Sequence, residues 1–220
     1  MWHRLRLRFR RGEELKFISH LDMMRLWERA LRRAGIPLAY SEGFTAHPRL
    51  ALAAPLPIGV TSEAEMIDVY LTRPISHQIF TQAVSRQLPA GVEILEARVV
   101  PLTAPSLQSQ VHHAEYEVKL EDEREQSRLQ EAIDAFLASG AFPWQHQRDK
   151  EVRHYDLRAL VEDLRLVRWE NGKVTMLMRV RCDSSGTGRP EQVAAALGFV
   201  RPPVSCHRIR LLLDKVGARG

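Results

Sequence analysis

Four side chains of the acid–base type fall within one short stretch: His20, Asp22, Glu42 and His47. His20 and Asp22 stand at the start of a candidate helix. Glu42 and His47 occupy the polar loop Ser41-Glu42-Gly43-Phe44-Thr45-Ala46-His47-Pro48-Arg49, which follows a glycine stop and could fold back toward that start. Imidazoles and carboxylates within reach of one another can move protons. The same four residues also have a structural reading, with Asp22 capping the helix beside Ser19, Glu42 pairing with an arginine, and His47 fixing the loop before Pro48. Contact with a phosphate or an RNA is a third reading.

Arginines surround them. Arg4, Arg6, Arg8 and Arg10 alternate with Leu5, Leu7 and Phe9, the period of a strand with one cationic face. Arg25, Arg29, Arg32 and Arg33 recur at helical spacing, so four guanidiniums crowd one face and repel one another. Arg49 closes the polar loop, Arg158 stands beside Asp156 in the run from Lys150 to Arg158, and Arg189 follows the small-residue loop Ser184–Gly188. That loop opens a helix with Pro190 in its first turn, so its amides could cradle a phosphate. The first fifty residues carry eleven Arg and Lys against five Asp and Glu, whereas the whole 220-residue chain is only +5 with pI near 9.5. A concentrated basic patch is the electrostatic footprint of polyanion binding.

Several chemistries have no motif. There is no GxGxxG after a strand, no GxxxxGK[ST], no HExxH and no CxxC. Cys182 and Cys206 are too few for an iron–sulfur loop and, with His207, lack a fourth zinc ligand, so neither metal nor cofactor is expected. Two distant thiols fit a reducing compartment. No apolar run approaches about 18 residues and no secretory core follows the basic start, so a soluble cytoplasmic protein is expected.

The elements that position these residues are legible from pattern. Residues 4–10 read as a strand, and Ser19 opens a helix that ends at Gly35-Ile36-Pro37. Strands at 50–54 and 65–71, a helix at 76–87 and a strand at 92–100 complete a β-α-β-β-α-β order, the ferredoxin-like split unit. Residues 101–112 read as a linker, and the pattern then restarts. Strand 114–120, helix 123–138, strands near 151–156 and 162–169, a hairpin across Asn171-Gly172, helix 190–197 and strand 205–213 follow. The expectation is an α+β chain of two ferredoxin-like (βαββαβ-type) lobes in tandem: a basic lobe at 1–100, the linker, and a second lobe at 113–220.

With these segments in view, the chain resembles the radical-SAM-linked domain of unknown function. The resemblance rests on Phe17-Ile18-Ser19-His20-Leu21-Asp22, Arg25 with Glu28–Ala34, Ser41–Phe44 with His47-Pro48-Arg49, Leu56–Val60 with Ser62-Glu63, Asp156-Leu157-Arg158 and Arg189-Pro190. It implies a radical-SAM partner and a link to RNA, and supplies no reaction. The resulting expectation is an accessory protein that binds tRNA or rRNA, with Arg4, Arg6, Arg8, Arg25, Arg29, Arg32, Arg33, Arg49, Arg158 and Arg189 on phosphates. The alternatives are an RNA-acting enzyme using His20, Asp22, Glu42 or His47, since tandem lobes of this kind also resemble pseudouridine synthases and CRISPR-repeat endonucleases, and a docking module for the radical-SAM partner.

Overall fold

The computed structural model describes residues 2–148 and 151–214. The protein is mixed α+β, rich in strands and sparing in helices. Its residues gather into two compact units, one formed by residues up to 111 together with 213 and 214, the other by residues 112–212.

In the first unit, β1 (His3–Arg11) is followed by α1 (His20–Arg33), β2 (Leu50–Leu52), β3 (Thr61–Leu71), α2 (His77–Ser85) and β4 (Val92–Val100). β1 pairs antiparallel with β3 on one side and β4 on the other, and β2 pairs antiparallel with β3, giving the order β4-β1-β3-β2. Leu5, Leu7 and Phe9 of β1 and Ile67, Val69 and Leu71 of β3 share a core with Trp27 and Leu31 of α1 and Phe80 and Val84 of α2. Both helices are therefore held by one apolar face of the sheet. Trp27 meets Phe9 edge to face at 4.9 Å, a geometry that adds about 0.5–1.5 kcal/mol to the burial itself.

The other face of β1 departs from expectation. Arg4 and Arg6 are buried, at 2% and 4% exposure, rather than presented to solvent. The reason is the stretch expected to be a linker. Residues 101–111 belong to the first unit and contain a short helix, α3 (Leu107–Gln110), whose Leu107 is fully buried. This stretch lies over the arginines: Arg4 donates to the carbonyls of Ala104 and Pro105, and Arg6 to the side-chain carbonyl of Gln110.

The second unit comprises β5 (Val111–Glu121), α4 (Gln126–Ala138), β6 (Pro143–Arg148), β7 (Glu151–Asp156), β8 (Val161–Glu170), β9 (Lys173–Asp183), β10 (Gly186–Thr187), α5 (Pro190–Ala196) and β11 (Ser205–Leu213). Its strands follow the order β8-β9-β5-β11, with β6 and β7 forming a separate two-stranded ribbon. The β8–β9 turn has Asn171 at φ 49° and Gly172 at φ 77°, the left-handed pair that a two-residue hairpin demands.

Candidate functional site

The local fold around α1 is built from the strand before it. Buried Arg11 at the end of β1 donates to the carbonyls of Leu15, Lys16 and Ile18, tying down the turn that delivers Ser19. Ser19 is the N-cap. Its hydroxyl accepts from the Asp22 amide at 3.1 Å and donates to Asp22 Oδ2 at 2.7 Å. The Ser19 hydroxyl, with the Arg25 guanidinium, holds the Asp22 carboxyl below its ordinary value. At the other end Gly35, at φ 65°, reverses the chain, and the Ile36 amide returns to Leu31 O.

Between these caps the outer face of α1 is a stripe of exposed arginines: Arg25, Arg29, Arg32 and Arg33. Arg25 has a carboxylate, Asp22, at 3.3 Å. Among the described residues no carboxylate pairs with Arg29, Arg32 or Arg33. Arg32 and Arg33 lie in the last turn, where the helix dipole favours cations. Arg29 has no such compensation and stands three and four residues from both of them, and four from Arg25. Each like-charged pair at that spacing costs about 0.2–0.5 kcal/mol, which a bound polyanion would reverse.

The stripe continues into aromatic side chains. Arg32 lies over the Tyr40 ring at 5.9 Å, and exposed Arg49 lies over the Trp2 ring at 4.3 Å and the Tyr70 ring at 5.2 Å. From Tyr40 the chain enters the Ser41–His47 loop, whose neck is closed by Ser41 N–H to His47 O at 2.9 Å and by the Tyr40–Pro48 bridge. Trp2, Tyr40 and Tyr70 are the members that sequence reasoning misses. For Trp2 and Tyr40 the available signal was an aromatic residue among the arginines of the first fifty residues; Tyr70 carries no such signal.

The remaining predicted residues fall elsewhere. Arg4 and Arg6 both donate to Asp68 and are consumed inside the first unit, so they cannot neutralise phosphate. Arg8 is half-exposed, 3.7 Å from Glu96 and donating to Glu63 O. Arg158 is committed to the carbonyls of Leu137 and Val161, while its amide donates to Asp156 Oδ1. These are buttresses of the second unit, not phosphate ligands. Arg189 lies 3.5 Å from His146 Nε2, on the β6–β7 ribbon, and Lys150 is outside the described residues. The Ser184–Gly188 loop is no phosphate cradle, because Asp183 Oδ1 accepts the amides of Ser185 and Gly186.

The acid–base set is not assembled. His20, Glu42 and His47 are exposed, and among the described residues no hydrogen bond or ion pair joins any of them to Asp22 or to one another. His47 enters the loop's bonding through its backbone, its amide donating to Ser41 Oγ at 3.1 Å. A concavity of about 860 Å³ opens against the β6–β7 ribbon beside Trp144, His154 and Tyr155. It contains none of the acid–base candidates. Among the described residues no group of three His, Cys, Asp or Glu side chains could hold a metal ion, and no helix is long and apolar enough to cross a membrane.

A family model matches residues 4–190, most of the chain. The protein belongs to a family described as uncharacterised and conserved in bacteria (DUF2344). No curated protein matches it by sequence. Its fold is similar to that of a chain in the crystal structure of a Cbf5–Nop10–Gar1 complex, with a TM-score of 0.54 at 9% identity, covering 96% of this protein and 50% of that chain. A chain in the structure of an H/ACA RNP bound to a substrate RNA containing 2′-deoxyuridine gives 0.50 at 9% identity, covering 96% and 49%. This protein thus spans about half the length of the solved chains it matches, and at such identity the likeness concerns the fold alone.

Proposed function

We propose that the protein binds RNA through the arginine stripe of α1 and Arg49, and acts as an accessory to a radical-SAM enzyme in tRNA or rRNA modification or processing. The observation that carries the reading is the exposed cationic row of α1, in which Arg25 pairs with Asp22 while Arg29, Arg32 and Arg33 have no carboxylate partner among the described residues. Two ferredoxin-like lobes in tandem provide the frame. Support for them lies in the shared strand order, β4-β1-β3-β2 in one unit and β11-β5-β9-β8 in the other, each with a helix after its first and third strands and the β6–β7 ribbon as an insertion. The similarity in fold to a chain of an RNA-bound H/ACA RNP agrees with an RNA partner. The radical-SAM partner rests on the resemblance of the Phe17–Asp22 and Ser41–Arg49 blocks. Binding is favoured over catalysis, since His20, Glu42 and His47 have no activating partners among the described residues.

A salt titration of RNA binding tests the reading. Each phosphate neutralised on a single strand contributes about −0.7 to the log–log slope, so four or five arginine contacts give roughly −3. Absence of RNA binding at low salt would overturn it. A second reading, a protein-docking module, is favoured by exposed Phe17, Leu21 and Ile58 near the start of α1. It predicts capture of the partner enzyme with no affinity for RNA.

A further inference from the structure

We infer that Phe44 is a base-stacking residue and that the RNA taken by this surface is single-stranded, an inference that rests on the RNA reading above. Phe44 is fully exposed, at 113%, so nothing in the first unit uses its ring for packing. A lone exposed apolar residue means little. Phe44 is not alone. Its loop is closed at the neck by the Ser41–His47 and Tyr40–Pro48 contacts, so the tip is presented from a fixed base. Tyr40, at one side of that neck, lies against Arg32 of the cationic stripe. Arg49, at the other side, lies over the Trp2 ring and near the Tyr70 ring. The surface therefore sets the exposed rings of Tyr40 and Phe44 in a neighbourhood of exposed guanidiniums. That combination suits an unpaired strand, whose bases stack on aromatic rings while cations follow its phosphates. Duplex RNA offers phosphates and 2′-hydroxyls but keeps its base faces stacked inside the helix, so an exposed phenyl ring gains nothing from it. Charge complementarity selects a nucleic acid over an apolar peptide, because exposed Arg32 and Arg49 stand by the residues at the two sides of the loop's neck.

The test is fluorescence anisotropy with a labelled oligouridine and, separately, a labelled RNA duplex, using the full chain, Phe44→Ala and Phe44→Tyr. Loss of one base stack weakens binding by about five- to 150-fold. Phe44→Ala should show that loss on the single strand with an unchanged salt slope, and no change on the duplex. Phe44→Tyr should restore binding. RNA binding with a normal salt slope, but Phe44→Ala within twofold of wild type on oligouridine, would overturn the stacking role and leave the RNA reading intact. Equal losses on strand and duplex would also overturn it. If no protein binds either RNA, the RNA reading fails and this inference falls with it.

Discussion

Arg4 and Asp68 form a buried two-pronged ion pair, with Nε at 2.8 Å and Nη2 at 2.5 Å from the same carboxylate oxygen. Arg6 donates to both oxygens of that carboxylate, so one buried acid serves two buried guanidiniums. Removing the acid leaves two cations without their charge partner inside the first unit. Asp68→Asn should therefore lower stability by about 3–5 kcal/mol, read from the urea midpoint. An unchanged midpoint would mean that water or another group reaches these arginines.

This cluster also shows where sequence reading stopped. The alternation of Arg4, Arg6 and Arg8 with Leu5, Leu7 and Phe9 correctly gives a strand, but alternation alone does not say that the polar face is wet. The missing information was long-range: Asp68, set among Met66, Ile67, Val69, Tyr70 and Leu71 of β3, and the 101–111 stretch lying over both arginines. Local signals fared better. Ser19, Gly35 and Asn171-Gly172 each act through backbone within a few residues, and the α1 caps and the β8–β9 hairpin lie where those residues place them. The arginine stripe was legible because helical periodicity fixes a face. The failure of His20, Asp22, Glu42 and His47 to gather was not, because the Ser41–His47 loop closes on its own neck.

The cap of α1 should be visible in the pH dependence of stability. Ser19→Ala removes an N-cap and should cost about 1 kcal/mol at neutral pH. The folded-state value of Asp22 lies below its ordinary 3.8, so its contribution is present above about pH 4 and is lost as pH falls through the folded value. Thermal midpoints between pH 6 and pH 2 should fall less steeply for Asp22→Asn than for wild type. A steeper fall for the variant would contradict the assignment.

The thiols should be inert in the native protein. Burial, with the Glu191 charge adding to it, pushes the Cys206 thiol up to about 12, and Cys182 is buried. A chromogenic disulfide reagent at pH 8 should react with neither until denaturant is added, when both should titrate. Prompt reaction of buried Cys182 in the folded protein would show that the second unit opens readily, and prompt reaction of half-buried Cys206 would contradict the raised thiol.

The central claim is that the α1 stripe carries the RNA contacts. Arg25, Arg29 and Arg32 are exposed on the face opposite the helix's core side, so replacing all three with glutamine should preserve the fold, as circular dichroism would verify. In a salt titration of single-stranded RNA binding, the triple variant should lose about two units of the log–log slope relative to wild type, about 0.7 for each contact removed. Equal slopes for the two proteins would contradict the account and place the RNA, if it is bound, on another surface.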